Sequence, residues 1–129
     1  DLPESLRRPH PTALLWRTLL PNLYASDFAP AGQWVSLQPA NQERGFGPEL
    51  SFGHAMSAQC SHPVAIIKSA NGRTGLFNDW RPMDEDDLST LTNLMFADVR
   101  RAFAVLNENG FAPRLRGLLW YQGERDIRL

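Results

Sequence analysis

The apolar run Gly117, Leu118, Leu119, Trp120, Tyr121 stops abruptly in Gln122, Gly123, Glu124, Arg125 and Asp126, and this junction constrains the fold more than any other stretch. A short apolar run that ends in amide, glycine and carboxylate reads as a buried strand with polar groups at its C-terminal edge, where open α/β sheets hold their ligands. A second junction has the same form: Val64, Ala65, Ile66 and Ile67 pass through Lys68, Ser69 and Ala70 into Asn71, Gly72, Arg73, Thr74 and Gly75. Between the two lies one helical pattern, with Leu88, Leu91, Met95, Val99, Ala102 and Leu106 on a single face. Strand, helix, strand is a βαβ unit, whose right-handed crossover makes the strands parallel. The two glycine-bearing loops then form two edges of one crevice.

The remaining elements are shorter. Residues 34–37 read as a strand, and residues 48–59 as a helix. Pro48 takes a favoured first position there and Glu49 meets the positive end of the dipole. Phe52, Ala55, Met56 and Cys60 are its expected apolar set. Residues 64–68 are apolar enough for a strand covered on both faces. The acidic cluster Asp84, Glu85, Asp86 and Asp87 opens the long helix as a capping charge, and Asn109 with Gly110 stops it. Residues 1–33 carry Pro3, Pro9, Pro11, Pro21 and Pro30, and read as a meandering surface stretch around the apolar piece Leu14, Leu15, Trp16.

A chain of 129 residues is expected to form a single domain. Thirteen basic residues against fourteen acidic ones leave a net charge of −1, which offers no broad attraction to nucleic acid or an anionic membrane. No apolar stretch approaches the ~20 residues that a bilayer needs, and no secretory signal pattern opens the chain. Cys60 is the only cysteine, so an internal disulfide and a cysteine zinc cluster are both excluded, and a buried apolar role is expected of it. His10, His54 and His62 show no metal-ligand spacing, and no metal or cofactor is expected.

The pieces Trp34-Val35-Ser36-Leu37, Gly47-Pro48-Glu49-Leu50-Ser51-Phe52-Gly53, the strand from Val64, Gly72-Arg73-Thr74, Asp79-Trp80 and Trp120-Tyr121-Gln122-Gly123-Glu124-Arg125-Asp126 occur in one order. In that order the chain resembles the sialate O-acetylesterase and family 6 carbohydrate esterase group of SGNH hydrolases, over nearly its whole length. The resemblance implies an α/β fold, a three-layer sandwich around a parallel sheet. It also implies a serine that attacks acetyl esters on sugars. The nucleophile of that group sits in a Gly-Gln-Ser-Asn-Met block near the N-terminus, and its catalytic His and Asp come near the C-terminus. Neither block occurs in these residues, so the expected fold is incomplete, lacking its first strand and its C-terminal part. Open sheet edges of that kind favour self-association.

Ester hydrolysis by serine needs donors aimed at the oxyanion. The resemblance implies that Gln122 supplies a side-chain amide in place of the asparagine of other SGNH enzymes, and Gly72 fits as a backbone N–H donor. From the residues alone, Gln122 reads more readily as an exposed strand end and Gly72 as an ordinary turn, and the resemblance reverses that preference. Glu124 either supports proton transfer or anchors its loop through backbone N–H groups. Arg73 stands where many of the resembling proteins have a second glycine and enters as a contact to a sugar hydroxyl or a narrowing of the cleft, while Arg125 stands where many have serine, a substrate-binding position whose local contacts that departure changes. Asp79 and Trp80 suit sugar recognition or loop packing, and Glu49 is a capping charge, a neighbour of the site, or both. Ser51 and His54 lie three apart on one helix face without an orienting acid, which makes a poor internal triad.

The substrate expected is an acetylated carbohydrate or other small acetyl ester, with no nucleic acid or membrane partner, and the chain alone is expected to be inactive or nearly so. Two other readings stay open. One is a non-catalytic carbohydrate-binding or interaction module, and the other is one piece of a split or domain-swapped enzyme.

Overall fold

The prolines of the N-terminal stretch bound a strand rather than dissolve one. In the computed structural model, which describes residues 2–19, 31–39, 46–81 and 90–128, β1 (Ala13–Leu19) begins two residues after Pro11 and takes the centre of a three-stranded sheet. β2 (Ala31–Ser36) and β3 (Val64–Ile67) flank it in the order β2-β1-β3. β1 and β3 are parallel, with Ala13 opposite Val64 and Trp16 opposite Ile67, and the sheet as a whole is mixed. The meander expected for residues 1–33 is therefore wrong over β1. Ala13, Leu15 and Trp16 are all buried, so both faces of the strand are covered, and a central position demands that. Pro21 and Pro30 lie outside the described residues.

The described residues fall into two compact units, one of residues 2–19 and 32–68, the other of Ala31 with residues 69–81 and 90–128. In the first, α1 (Glu4–Arg7) and α2 (Pro48–Gln59) accompany the sheet. Its core gathers Ala13, Leu15, Leu37 and Leu50, with Leu2, Leu6, Val35 and Ile66 packed against it. α2 spans the expected residues, with Pro48 at its start, but it turns a different face inward. Leu50 and Gly53 are buried, while Phe52 is 39 % exposed and Ala55 and Cys60 are exposed. The expected burial of Cys60 is also wrong, because it is the exposed residue after the last turn, in extended backbone. The buried stripe of α2 continues through half-buried His54 and Ser57, polar types that a hydrophobic count passes over. In β3, Ala65 is exposed, so this strand is not covered on both faces as expected.

The stripe gives this unit a dependence on pH. The rings of His10 and His54 meet edge to face, 4.5 Å apart, and His10 Nδ1 accepts from the Ala13 and Thr12 amides at 2.9 and 3.2 Å. His54 is held below its usual value of 6.5, first by burial and then by the neighbouring His10. The fold favours the neutral ring, so its contribution is whole above the unfolded pKa and is lost as pH falls through the lowered one. The urea midpoint should fall from about pH 7 to about pH 5, and His54→Gln should flatten that fall. Equal slopes in the two proteins would rule His54 out as its source.

In the second unit, α3 (Leu91–Glu108) begins later than the pattern suggests. Its N-cap is Thr90, whose hydroxyl accepts from Asn93 N, so the expected cap by residues 84–87 is replaced by a neutral one. The acidic cluster itself and Leu88 lie outside the described residues. Leu91, Ala102 and Leu106 are buried as expected, and Asn93 and Asp98 join them. The helix ends as Asn109 and Gly110 suggest. Gly110 adopts φ +81°, its amide bonds Asn107 O and the Phe111 amide bonds Leu106 O, both at 3.0 Å. That double bond is the glycine stop in which the left-handed residue satisfies the last carbonyls.

The second strand of the expected βαβ unit does not form. Residues 117–121 belong to no ladder, and Leu119 and Tyr121 are 76 % and 92 % exposed. Apolar pattern gives a segment strand propensity, but a strand exists only when a neighbour supplies its hydrogen bonds. Among the described residues no helix is long and apolar enough to cross a membrane.

Candidate active site

Residues 71–80 form a turn-rich loop that folds on itself. Thr74 Oγ1 donates to Asn71 O and accepts from Trp80 Nε1, both at 2.9 Å. Asp79 Oδ2 accepts from the Gly75 amide at 2.7 Å, and the Asp79 and Trp80 amides return to Gly75 O at 3.0 and 3.3 Å. The far end docks on α3, where the Leu91 amide donates to Asp79 O at 2.8 Å and the Thr92 hydroxyl donates to Trp80 O. Trp80 is 7 % exposed and sets its ring edge to face with Trp120 at 5.1 Å. Of the two roles open to Asp79 and Trp80, the contacts describe loop packing.

Arg73 adopts φ +66°, in the left-handed region. A side chain is disfavoured there and a glycine is not. Gly72 is exposed, and nothing within 4 Å would meet a Cβ built on it. No packing contact among the described residues therefore requires glycine at that position.

The block after the exposed segment grips this loop from a distance of about fifty residues in sequence. Gln122 Nε2 donates to Thr74 O at 2.5 Å, and Arg125 Nη1 donates to Arg73 O. Asp126 Oδ2 accepts from the Leu76 amide at 2.8 Å and its Oδ1 from the Phe77 amide at 3.2 Å. Those amides, Leu76 foremost, hold the Asp126 carboxyl below its usual value of 3.8 against a desolvation cost. Glu124 is exposed and accepts from the neighbouring Gly123 amide at 3.1 Å. Gln122 Oε1 is buried without a hydrogen-bond partner among the described residues.

The structure thus joins Arg73, Asp79 and Trp80 with Gln122 and Arg125 in one hydrogen-bonded pair of loops, with Gly72 beside Arg73 in the chain. Glu49 belongs to the other unit. Its Oε1 accepts from the Gly47 amide at 3.1 Å and from Lys68 Nζ at 2.8 Å, so it caps the start of α2 and forms an ion pair. The internal serine and histidine pairs stay incomplete. Ser51 Oγ donates to Pro48 O at 3.3 Å, while Ser61 and His62 share a bond of 3.0 Å on the surface. Among the described residues, no three of His, Cys, Asp or Glu gather as a metal site would need.

Sequence reasoning left Thr74, Asp126 and Lys68 without roles. Asp126 carried one usable signal, a carboxylate closing a glycine-bearing polar block. Thr74 and Lys68 act through contacts that no local pattern announces. Chemically, a carboxamide pinned through one N–H keeps the second to donate.

Neither the curated proteins nor the solved structures gave a match to this sequence. The sequence model of one family, described as carbohydrate esterase, sialic acid-specific acetylesterase, matches residues 8–128. That span runs through both units and both loops, and the chain belongs to this carbohydrate esterase family.

Proposed function

We propose that these residues are the central portion of one carbohydrate O-acetylesterase domain, in which the Gly72 amide and the Gln122 carboxamide hold the acetyl oxygen. The observation that carries this reading is the bond from Gln122 Nε2 to Thr74 O. It ties the side chain to the loop that bears Gly72 and leaves one N–H to donate. A serine from outside these residues attacks the acetyl carbonyl, and its proton passes through a histidine to the sugar oxygen as that group leaves. Water then attacks the acetyl-serine ester and releases acetate. During both steps negative charge collects on the carbonyl oxygen, where preorganised N–H donors have their largest effect. Arg73 and Arg125, flanking the donors, contact the sugar. Glu124 anchors its own turn.

Glucose pentaacetate serves as a probe of the site. On its addition, the Gly72 amide and the Gln122 side-chain amide should shift in nitrogen–proton correlation spectra, with no acetate accumulating. Gln122→Ala should weaken binding by about tenfold, the loss expected for one hydrogen bond of ~1.4 kcal/mol. Shifts confined to other residues, or the same affinity in the variant, would remove the reading. One observation favours the split or domain-swapped piece as a second reading: apolar residues 117–121 are exposed without a ladder. It differs from the first in where the serine segment comes from.

A further inference from the structure

Each of residues 73 to 77 has a backbone group held by a side chain. Arg125 takes the carbonyl of Arg73 and Gln122 that of Thr74. Asp79 takes the amide of Gly75, and Asp126 takes those of Leu76 and Phe77. Of these four side chains Asp126 alone holds two neighbouring amides, with one oxygen for each. It packs closely on Gly75, where a Cβ would stand 3.0 Å from Asp126 Oδ1. Asp126 is also tied to the turn that carries Gln122, because its own amide donates to Gly123 O at 3.1 Å. One carboxylate therefore links the backbone of the two segments that bear the proposed donors.

We propose that Asp126 is the positioning residue of the acyl-binding site, its carboxylate clamping the Leu76 and Phe77 amides so that Gly72 N–H and the Gln122 carboxamide address one acetyl oxygen. This rests on the reading of Gly72 and Gln122 as donors. A carboxylate is needed because two adjacent N–H groups point at the position. An asparagine there offers one acceptor oxygen and turns its NH2 toward the other N–H, which sets donor against donor. The shape is unchanged and the clamp is halved.

The test uses the full chain and its Asp126→Asn and Asp126→Glu variants. Hydrogen exchange of the Leu76 and Phe77 amides is read without ligand, and binding of glucose pentaacetate is read at the Gly72 and Gln122 signals. In Asp126→Asn, exchange at Leu76 and Phe77 should quicken by about tenfold or more and probe binding should weaken by about tenfold. Protection in α3 should stay as it is. Asp126→Glu, which keeps both acceptor oxygens, should recover part of each loss. Faster exchange with unchanged probe binding makes Asp126 a structural clamp only and overturns the positioning role. Unchanged exchange overturns the clamp. A wild-type chain whose Gly72 and Gln122 signals ignore the probe overturns the donor reading itself, and the positioning role falls with it whatever the exchange rates are.

Discussion

Trp16→Ala should destabilise the β-sheet unit by about 3–5 kcal/mol, the range for emptying a large aromatic site in a core. Trp16 sits on the central strand at 1 % exposure. Its indole meets Trp34 edge to face at 5.4 Å and lies so close over Gly32 that a Cβ there would stand 2.5 Å from the ring. Gly32 has no side chain to move into the space an alanine leaves, so the site collapses poorly and the loss belongs near the upper end. A typical domain has only about 5–15 kcal/mol to lose. Urea unfolding followed by circular dichroism should show a lower midpoint at unchanged slope, with Trp16→Phe between the two. A loss under about 1 kcal/mol would mean that the indole is not part of the core.

The sequence disclosed elements where local chemistry decides them and missed those that depend on a partner. Pro48 and Glu49 set the start of α2, and Asn109 with Gly110 set the end of α3, because capping is settled within a few residues. β1 was hidden by the prolines around it, and its centrality comes from pairing with β3 some fifty residues on. Residues 117–121 show the reverse case, a strand-like pattern for which no ladder forms. At the candidate site both loops were legible as glycine-bearing polar stretches, but only the first follows a strand. What joins them, Thr74 and Asp126, was not, since side-chain bonds to distant backbone leave no periodicity to read. Family membership was legible because several short motifs keep one order, and the family match over residues 8–128 agrees with it.

The face of α2 was misread for a reason that yields the second large effect. Gly53 stands within this helix, where propensity alone favours alanine by about 1 kcal/mol. It is nonetheless buried, and a Cβ there would stand 2.8 Å from Ile66 Cδ1 and closer still to Leu37 Cδ2. Both contacts are ends of flexible side chains, so alanine sets a small displacement against a gain in helix propensity, and Gly53→Ala should change stability little. Gly53→Leu has no such balance. Leu37 is fully buried, and a shift that makes way for one methyl group does not make way for three more carbons, so the added side chain forces the helix off the sheet or its neighbours off their rotamers. Overpacking of that kind costs about 1–3 kcal/mol. The comparison separates the two influences on one residue: a leucine variant with a raised urea midpoint would mean that helix propensity governs this position, and a lowered one beside a neutral alanine would mean that the approach of α2 to Leu37 and Ile66 is what the glycine provides.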